Sequence, residues 1–321
     1  MRLIATISMV VILGLGLAHG ANAQTFPAQD IKFVTGFPPG SGADIITRFV
    51  AEKFRAKAKR TVIVDNKVGA AGNVAIESVA RSKPDGYTML LLTGSSVAAS
   101  MHLFKTPPVD VQKAFRVAAT ISKQSFMLVV DSGSPYKTVQ DLTDAMKQKG
   151  PSASYAVAAP SGIVMGELYK ALTGVEAEQI RFRSGGDSLN ELANGKIDYA
   201  MLDPQISLAQ GAQGKLRILA HSAGTRFKFR PDIPTMAENG ITGMDLTGWW
   251  CIIVPAETPK PIIEQINVWA NETLREADVQ EFFAKTGGDV FMSSVEDGQK
   301  LFVSEGKAWE EYLRIAKIEK Q

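Results

Sequence analysis

The sequence contains almost no cysteine and little histidine, and this limits its chemistry. Among 321 residues there is one cysteine, Cys251, so no disulfide can form within the chain. No cysteine follows the apolar amino terminus, which excludes lipid attachment there. Only two histidines, His102 and His221, lie beyond that terminus, and their spacing is not that of metal ligands. We therefore expect no metal, no cofactor, and structural or surface roles for both histidines.

An excess of charge of either sign is also missing. The chain has 35 lysines and arginines against 33 aspartates and glutamates, a formal net charge of +2. A nucleic-acid partner would require a basic patch or stripe, and no block of like charge is present. We therefore expect no nucleic-acid partner.

Long apolar runs are absent except at the amino terminus. Residues 3–18 form such a run, Arg2 precedes it, and the tripeptide ANA at 21–23 follows as an A-x-A cleavage site. This pattern predicts a secretory signal peptide over residues 1–23. The alternative is a membrane anchor, but the run is short for the ~20 residues of a span. We expect an exported protein of the periplasm.

The usual motifs for phosphate binding and nucleophilic catalysis are missing too. The sequence has no G-x-x-x-x-G-K-[ST] and no G-x-S-x-G. The stretch Gly40-Ser41-Gly42 has Ile45 where a dinucleotide fingerprint has its third glycine. These absences argue against an enzyme.

Short β-rich runs alternate with helical patterns over the rest of the chain. The predicted strands are residues 31–37, 61–66, 87–94, 126–131, 154–159, 179–183, 197–203 and 216–222, and helices are predicted at 42–54, 74–80, 138–148, 162–173 and 187–194. After Gly248 one apolar run, WWCIIVP, precedes a mostly helical carboxyl-terminal third. The alternation predicts two α/β domains with parallel strands joined by right-handed crossovers. For the tryptophans of that run, Trp249 and Trp250, packing in the core or hinge is expected.

The stretch FPPGSGADIITRF, residues 37–49, stands where the first predicted strand meets the first helix. Its residues Ser41 to Asp44 fit an S-x-x-D capping box, in which Asp44 would reach back to the Ser41 amide. Glycines at 40 and 42 keep side chains away from the amides, and a helix start with bare amides attracts anions. The stretch predicts an anion site, with a well-capped loop as the alternative.

Similar Gly/Ser-rich junctions follow other predicted strands, at residues 68–73, 93–97, 159–164 and 183–188. In open α/β sheets, ligands bind beyond the carboxyl ends of the strands. The junctions therefore predict a cleft between the two domains with amide and hydroxyl donors on both walls.

Seven motifs in order carry a resemblance over essentially the whole chain after residue 23. They are FPPGSGADIITR, VDNKVGAAGN, KPDGYTMLL, NGKIDYAMLD, GKLRILAHSAGTR, RPDIPTMAENGITG and VPAETPKPII. The chain resembles the Bug-type receptors, the solute-binding components of tripartite tricarboxylate transporters. The resemblance implies a type II periplasmic-binding-protein fold, in which two α/β lobes close on a small carboxylated solute that passes to a membrane permease. We expect a monomer.

The same resemblance implies two chain crossings between the lobes, expected near residues 120–124 and 221–224. Residues 24–121 and 222–321 would then form lobe 1, and residues 122–221 lobe 2.

The resemblance also implies where the ligand binds. Its carboxylate would lie on the loop of residues 40–44, and the opposing lobe would contribute residues 158–162 and 183–186. Two departures put the selectivity of the second lobe in question: the loop AAPSGIVMGEL is short and has no histidine, and the usual Tyr-Lys-Gly is Phe182-Arg183-Ser184. The candidate ligand-binding residues are Gly40, Ser41, Gly42, Ala43, Asp44, Thr93, Ser95, Ala159, Ser161, Gly162, Arg183, Ser184, Gly185 and Asp203.

Arg183 ends a predicted strand beside the expected cleft. A guanidinium fits a carboxylate bidentately, so Arg183, with Ser161 or Ser184, would bind a second carboxylate of the solute. The alternative is a surface arginine paired with Asp187 or Glu191.

Three functions remain open on the sequence alone. The first is a solute receptor for transport, the second an exported sensor subunit that presents the solute to a signalling partner, and the third an α/β enzyme.

Overall fold

The protein is described by a computed structural model that covers residues 26–107, 109–157, 160–182, 185–227, 229–315 and 317–320. The predicted signal peptide lies outside these ranges, and so do the candidate residues Ala159, Arg183 and Ser184. The strands are β1 (Ile31–Thr35), β2 (Val62–Asn66), β3 (Thr88–Thr93), β4 (Phe115–Ser125), β5 (Met127–Asp131), β6 (Ala153–Val157), β7 (Ala177–Arg181), β8 (Tyr199–Leu202), β9 (Leu216–His221), β10 (Thr247–Pro255) and β11 (Gly288–Val290). The helices are α1 (Gly42–Ala58), α2 (Asn73–Ala80), α3 (Gly94–Leu103), α4 (Val111–Ala114), α5 (Val139–Lys149), α6 (Pro160–Thr173), α7 (Leu189–Ala193), α8 (Pro204–Ala212), α9 (Lys260–Leu274), α10 (Ala277–Lys285) and α11 (Val295–Ile315).

The first sheet draws its strands from both ends of the chain. Its order is β11-β4-β10-β3-β1-β2. As predicted, β1 is parallel to β2 and β3, whereas β10 runs antiparallel between β3 and β4. Helices cover both faces: Met89 and Leu91 of β3 pack with α1 and α9, and Leu90 and Leu92 pack with α2 and α3. This sheet and its helices form the first lobe.

The second sheet is formed by the middle of the chain, in the order β7-β6-β8-β5-β9. Strand β6 is parallel to β7 and β8, and β5 is antiparallel to β8 and β9. Met127 at the start of β5 pairs with Leu202 at the end of β8 and with His221 at the end of β9. The chain therefore enters and leaves this second lobe at the edge where β6 and β8 have their carboxyl ends.

Ser222 joins the two crossings between the lobes. Its amide donates to the Phe126 carbonyl at 3.0 Å, and its Oγ accepts from the Phe126 amide at 3.0 Å and donates to the Leu246 carbonyl. The chain returns from the second sheet to the first through Ser222. The outward crossing is at Phe126, just past the expected residues 120–124, because β4 stays in the first sheet until Ser125 pairs with Thr247.

The sequence analysis missed strands β4 and β11. Strand β4 is almost wholly buried although it contains Thr120, Ser122 and Gln124. Two of them form hydrogen bonds inside the fold: Thr120 Oγ1 donates to the Phe291 carbonyl at 2.6 Å, and Gln124 Oε1 accepts from Trp250 Nε1 at 3.1 Å. A buried strand with polar residues lacks the apolar pattern on which strand prediction depends.

Both tryptophans and the cysteine of the WWCIIVP run lie in the core. Trp249 and Trp250 are 1% and 2% exposed, Cys251 is fully buried, and so is His221. The expected packing roles of the tryptophans are confirmed. In the part of the chain that the structure describes, every helix is too short or too polar to cross a membrane.

Candidate ligand-binding site

The loop between β1 and α1 has the conformation of a capped helix start. Ser41 is the N-cap residue: its Oγ accepts from the Asp44 amide at 3.2 Å and donates to the Pro38 carbonyl at 2.8 Å. Gly40 has φ +80°, which favours glycine although a Cβ there would meet nothing within 4 Å. The predicted helix start at Gly42 is confirmed.

The Asp44 carboxylate holds this loop against β2. It is buried, and it accepts hydrogen bonds from the Gly40 amide at 2.9 Å, Arg48 Nε at 2.8 Å and Asn66 Nδ2 at 2.7 Å. Burial alone would raise the pKa of Asp44, but the hydrogen bonds from Arg48, Asn66 and Gly40 outweigh it and hold the pKa below its ordinary value. Asp44 is therefore an ionised support of the loop.

The capping box differs from the predicted one in a single contact. Asp44 reaches the Gly40 amide, not the Ser41 amide, because the Ser41 amide already donates to the Pro38 carbonyl at 3.2 Å. The sequence analysis also missed Arg48 and Asn66. Arg48 follows Asp44 by one helical turn, a spacing that signals an ion pair, whereas Asn66 is brought in only by the pairing of β1 with β2.

The first turn of α1 keeps two backbone donors unused. No described residue accepts a hydrogen bond from the amide of Gly42 or of Ala43. The first amides of a helix have no partner within it, and together with the helix dipole they attract negative charge. The loop therefore presents two amides and the Ser41 hydroxyl to the space in front of it.

Thr93 and Ser95 lie at the start of α3, after the carboxyl end of β3. Thr93 is its N-cap, and Thr93 Oγ1 accepts from the Ser96 amide at 3.4 Å. Ser95 is buried, with its Oγ 3.3 Å from the Thr247 carbonyl and 3.4 Å from Glu305 Oε2. The Ser95 hydroxyl is thus used inside the first lobe.

On the second lobe, the carboxyl ends of β6, β7 and β8 carry the remaining candidates. Ser161 and Gly162 are buried in the first turn of α6, and a Cβ at Gly162 would stand 2.8 Å from the Met201 carbonyl oxygen, so α6 approaches β8 too closely for a side chain. Gly185 begins a short 3-10 turn that ends at Ser188.

Asp203 stands at the carboxyl end of β8, at the N-cap position of α8. Its side chain does not cap the helix, whose first residue is Pro204. Asp203 is half-buried, and burial raises the pKa of its carboxyl to about 6.

The start of α8 touches the first lobe beside the Gly40–Asp44 loop. Gln205 Nε2 donates to Gln124 Oε1 at 2.8 Å, and Trp250 Nε1 donates to the same oxygen at 3.1 Å. A Cβ on Gly42 would stand 3.3 Å from the Cβ of Gln205. The two lobes are therefore in contact at this point. The sequence analysis missed Gln124 and Gln205, because nothing near them in the sequence marks the contact.

A groove elsewhere in the first lobe is separate from this site. A groove of about 890 Å³ runs between α9 and α11, and its residue Arg116 is at the amino end of β4, opposite the edge that carries the loops described above. Among the described residues, no group of three or more histidine, cysteine, aspartate or glutamate side chains could hold a metal ion.

Known proteins resemble this chain over nearly its full length. A family model described as the tripartite tricarboxylate transporter family receptor matches residues 46–317. Protein BugT of Bordetella pertussis is 26% identical over 316 residues, which is 98% of this chain and 97% of that protein.

Solved structures also match this chain in fold. An R. palustris protein with adipate superposes with a TM-score of 0.85 at 25% identity, covering 92% of this chain and 100% of that one. The periplasmic binding protein BugD superposes with a TM-score of 0.83 at 25% identity, with the same coverage. The fold is thus that of two-lobed periplasmic binding proteins, and the chain belongs to the tripartite tricarboxylate transporter receptor family.

Proposed function

We propose that this protein captures a small organic carboxylate between its two lobes, in the periplasm, and delivers it to the permease subunits of a tripartite transporter. The observation that carries this proposal is the Gly40–Asp44 loop. It presents two unused amides at a helix start, held in place by an ionised aspartate, directly opposite the start of α8. The similar R. palustris protein was solved with adipate, and this supports a carboxylate as the ligand.

The first test is a thermal-shift screen of the purified protein against mono-, di- and tricarboxylates, aromatic acids and acidic amino acids. A ligand at a hundredfold above its dissociation constant adds about 2.7 kcal/mol of stability. We expect at least one carboxylate to raise Tm, whereas neutral amides of the same shape should not. If no carboxylate stabilises the folded protein, the proposal is wrong.

The second test locates the carboxylate. Gly42→Val should weaken binding of every carboxylate, by about tenfold or more, because its side chain would crowd the free amides and the Cβ of Gln205. Gly42→Ala should have a smaller effect in the same direction. The matched control is Gly211→Ala in α8, where a Cβ would stand at an ordinary 3.6 Å from Ile218 Cδ1. Normal binding by a folded Gly42→Val variant would place the site elsewhere.

A further inference from the structure

Asp203 lies at the edge of the second sheet that adjoins the first lobe. It follows β8 at the edge where the chain crosses between lobes, since Met127 pairs with both Leu202 and His221 there. Two residues further on, Gln205 contacts Gly42 and bonds to Gln124. Asp203 therefore stands on the wall opposite the loop that presents free amides.

This carboxylate has no donor in the described part of the protein. Among the described residues, none donates a hydrogen bond to it or forms an ion pair with it, and it does not cap α8. The bonds from the Ser207 amide and hydroxyl, at 3.2 and 2.8 Å, go to the Asp203 main-chain carbonyl. Asp44, across the cleft, has three donors. A half-buried carboxylate without a donor is costly, and burial accordingly raises the pKa of Asp203 to about 6.

A second acceptor lies on the same wall. The Trp250 indole can only donate, so the Gln124 atom that it contacts must be Oε1. The Gln205 atom bonded to that oxygen must then be Nε2. This chain of bonds leaves Gln205 Oε1, two residues from Asp203, with no hydrogen bond from a described residue.

We propose that Asp203 is a specificity residue of the cleft, which accepts a hydrogen bond from a hydroxyl, amide or ammonium group of the solute. This inference rests on the proposed function. The first lobe offers donors and suits a carboxylate, whereas the second lobe offers acceptors and suits an N–H or O–H group. The solute class is therefore a carboxylic acid that also carries a donor, such as a hydroxy or amino acid, and not a plain mono- or dicarboxylic acid.

The test compares acids that differ in one group. Affinities are measured by titration calorimetry at neutral pH for propionate, lactate and alanine, for succinate, malate and aspartate, and for adipate and 2-hydroxyadipate. In the best-binding series, we expect the wild-type protein to prefer the member with a donor by about tenfold or more, which corresponds to ~1.4 kcal/mol.

Two substitutions of Asp203 then test whether its carboxylate causes that preference. Asp203→Ala removes both acceptor oxygens and should reduce the preference to about twofold or less, because the plain acid gains and the substituted acid loses. Asp203→Asn keeps one acceptor, so it should retain part of a preference for a hydroxyl but lose a preference for an ammonium group. The control is Asp131→Ala, an aspartate at the opposite edge of the same sheet whose Oδ1 accepts from the Gly133 amide; it should leave the preference as it is.

The remaining outcomes distinguish failure of this inference from failure of the proposed function. Equal or tighter binding of the plain acids by the wild-type protein would overturn the inference while the proposed function stands. An unchanged preference in Asp203→Ala would also overturn it. If no acid of any series binds, the proposed function fails, and the inference falls with it.

Discussion

Two aspartates at the candidate site show how one residue type takes opposite roles. Asp44 is surrounded by three donors, which hold its pKa below the ordinary value despite its burial. Asp203 has no donor among the described residues, and its burial raises the pKa to about 6. Asp44 thus holds the Gly40–Asp44 loop in place, whereas Asp203 keeps a carboxylate with no donor among the described residues. The side chain alone does not determine the role; the neighbouring donors do.

The Ser41 hydroxyl caps α1 and is also expected to bind the carboxylate. Ser294 caps α11 in the same way, so a comparison of the two serines separates these roles. Ser294 Oγ accepts from the Asp297 amide at 3.0 Å at the start of α11, as Ser41 Oγ does for Asp44 in α1. Ser41→Ala and Ser294→Ala should each cost about 1 kcal/mol of unfolding free energy, because each removes an N-cap. Only Ser41→Ala should also weaken carboxylate binding. Equal carboxylate affinities in the two variants would remove the Ser41 hydroxyl from the site.

The pKa of Asp203 predicts a pH dependence of stability. Its value of about 6 in the folded protein lies above the ordinary 3.8, so the folded state favours the protonated form. That stabilisation is fully present below about pH 4 and is lost as the pH rises through 6. In the absence of ligand, Asp203→Asn should be more stable than the wild-type protein at pH 7 by up to about 3 kcal/mol, and the difference should vanish near pH 4.

Urea unfolding at pH 4, 5, 6 and 7 measures this difference. Asp131→Asn, which alters a half-buried aspartate of the same sheet whose carboxylate accepts from the Gly133 amide, serves as the control. A constant difference between Asp203→Asn and the wild-type protein across this range would mean that Asp203 has an ordinary pKa.

At the scale of elements, the connection between the lobes depends on a few backbone groups. The outward crossing is one residue, Phe126, and the return crossing passes through Ser222, which bonds to Phe126 and to Leu246. Because Ser222 is buried, no water can replace these bonds without rearrangement. The hydroxyl therefore fixes how the two sheets meet.

Ser222→Ala should destabilise the protein by about 1–3 kcal/mol, because it leaves the Phe126 amide and the Leu246 carbonyl unpaired in a buried place. Hydrogen exchange of the amides around residues 126 and 222 should become faster. Ser100→Ala is the control: Ser100 is equally buried, but its Oγ donates only to the Val97 carbonyl one turn away. If both variants behave alike, Ser222 has no special role at the crossing.

At the scale of the whole molecule, Gly42 of the first lobe is in contact with Gln205 of the second lobe. Closure of two lobes on a ligand implies that this contact opens when the cleft is empty, and solution scattering should then give a smaller radius of gyration with a saturating carboxylate. The chain allows a direct test, because its only cysteine is fully buried and burial raises the pKa of that thiol well above its ordinary range. Introduced cysteines will therefore react without interference.

The double variant Gly42→Cys/Gln205→Cys should form a disulfide under mild oxidation. The Cβ separation of 3.3 Å is close to the roughly 3.5–4.5 Å of disulfides. The oxidised form should have the smaller radius of gyration and should neither take up nor release a carboxylate, and reduction should restore exchange. The single variants are the controls. A variant that cannot be oxidised, or that exchanges ligand freely when oxidised, would contradict a closing cleft at this point.

Much of the architecture was determined by local sequence. The alternation of apolar runs and helical stripes is set by near neighbours, so it predicted the parallel pairing of β1 with β2 and β3 and the start of α1 at Gly42. The order of motifs indicated the receptor family. The role of Arg183, and with it a second carboxylate in the solute, lies outside the described residues and stays a prediction.

Only the tertiary structure decided which side chains complete the site. Asn66 reaches Asp44 across 22 positions, and Gln205 reaches Gln124 across 81. Strand β4 escaped prediction because its polar residues are buried by partners far along the chain, such as Phe291 for Thr120. The physical reason is the same in each case. A periodic pattern records which face of an element is buried, whereas a hydrogen bond between distant residues depends on how the sheets are ordered and how the lobes meet.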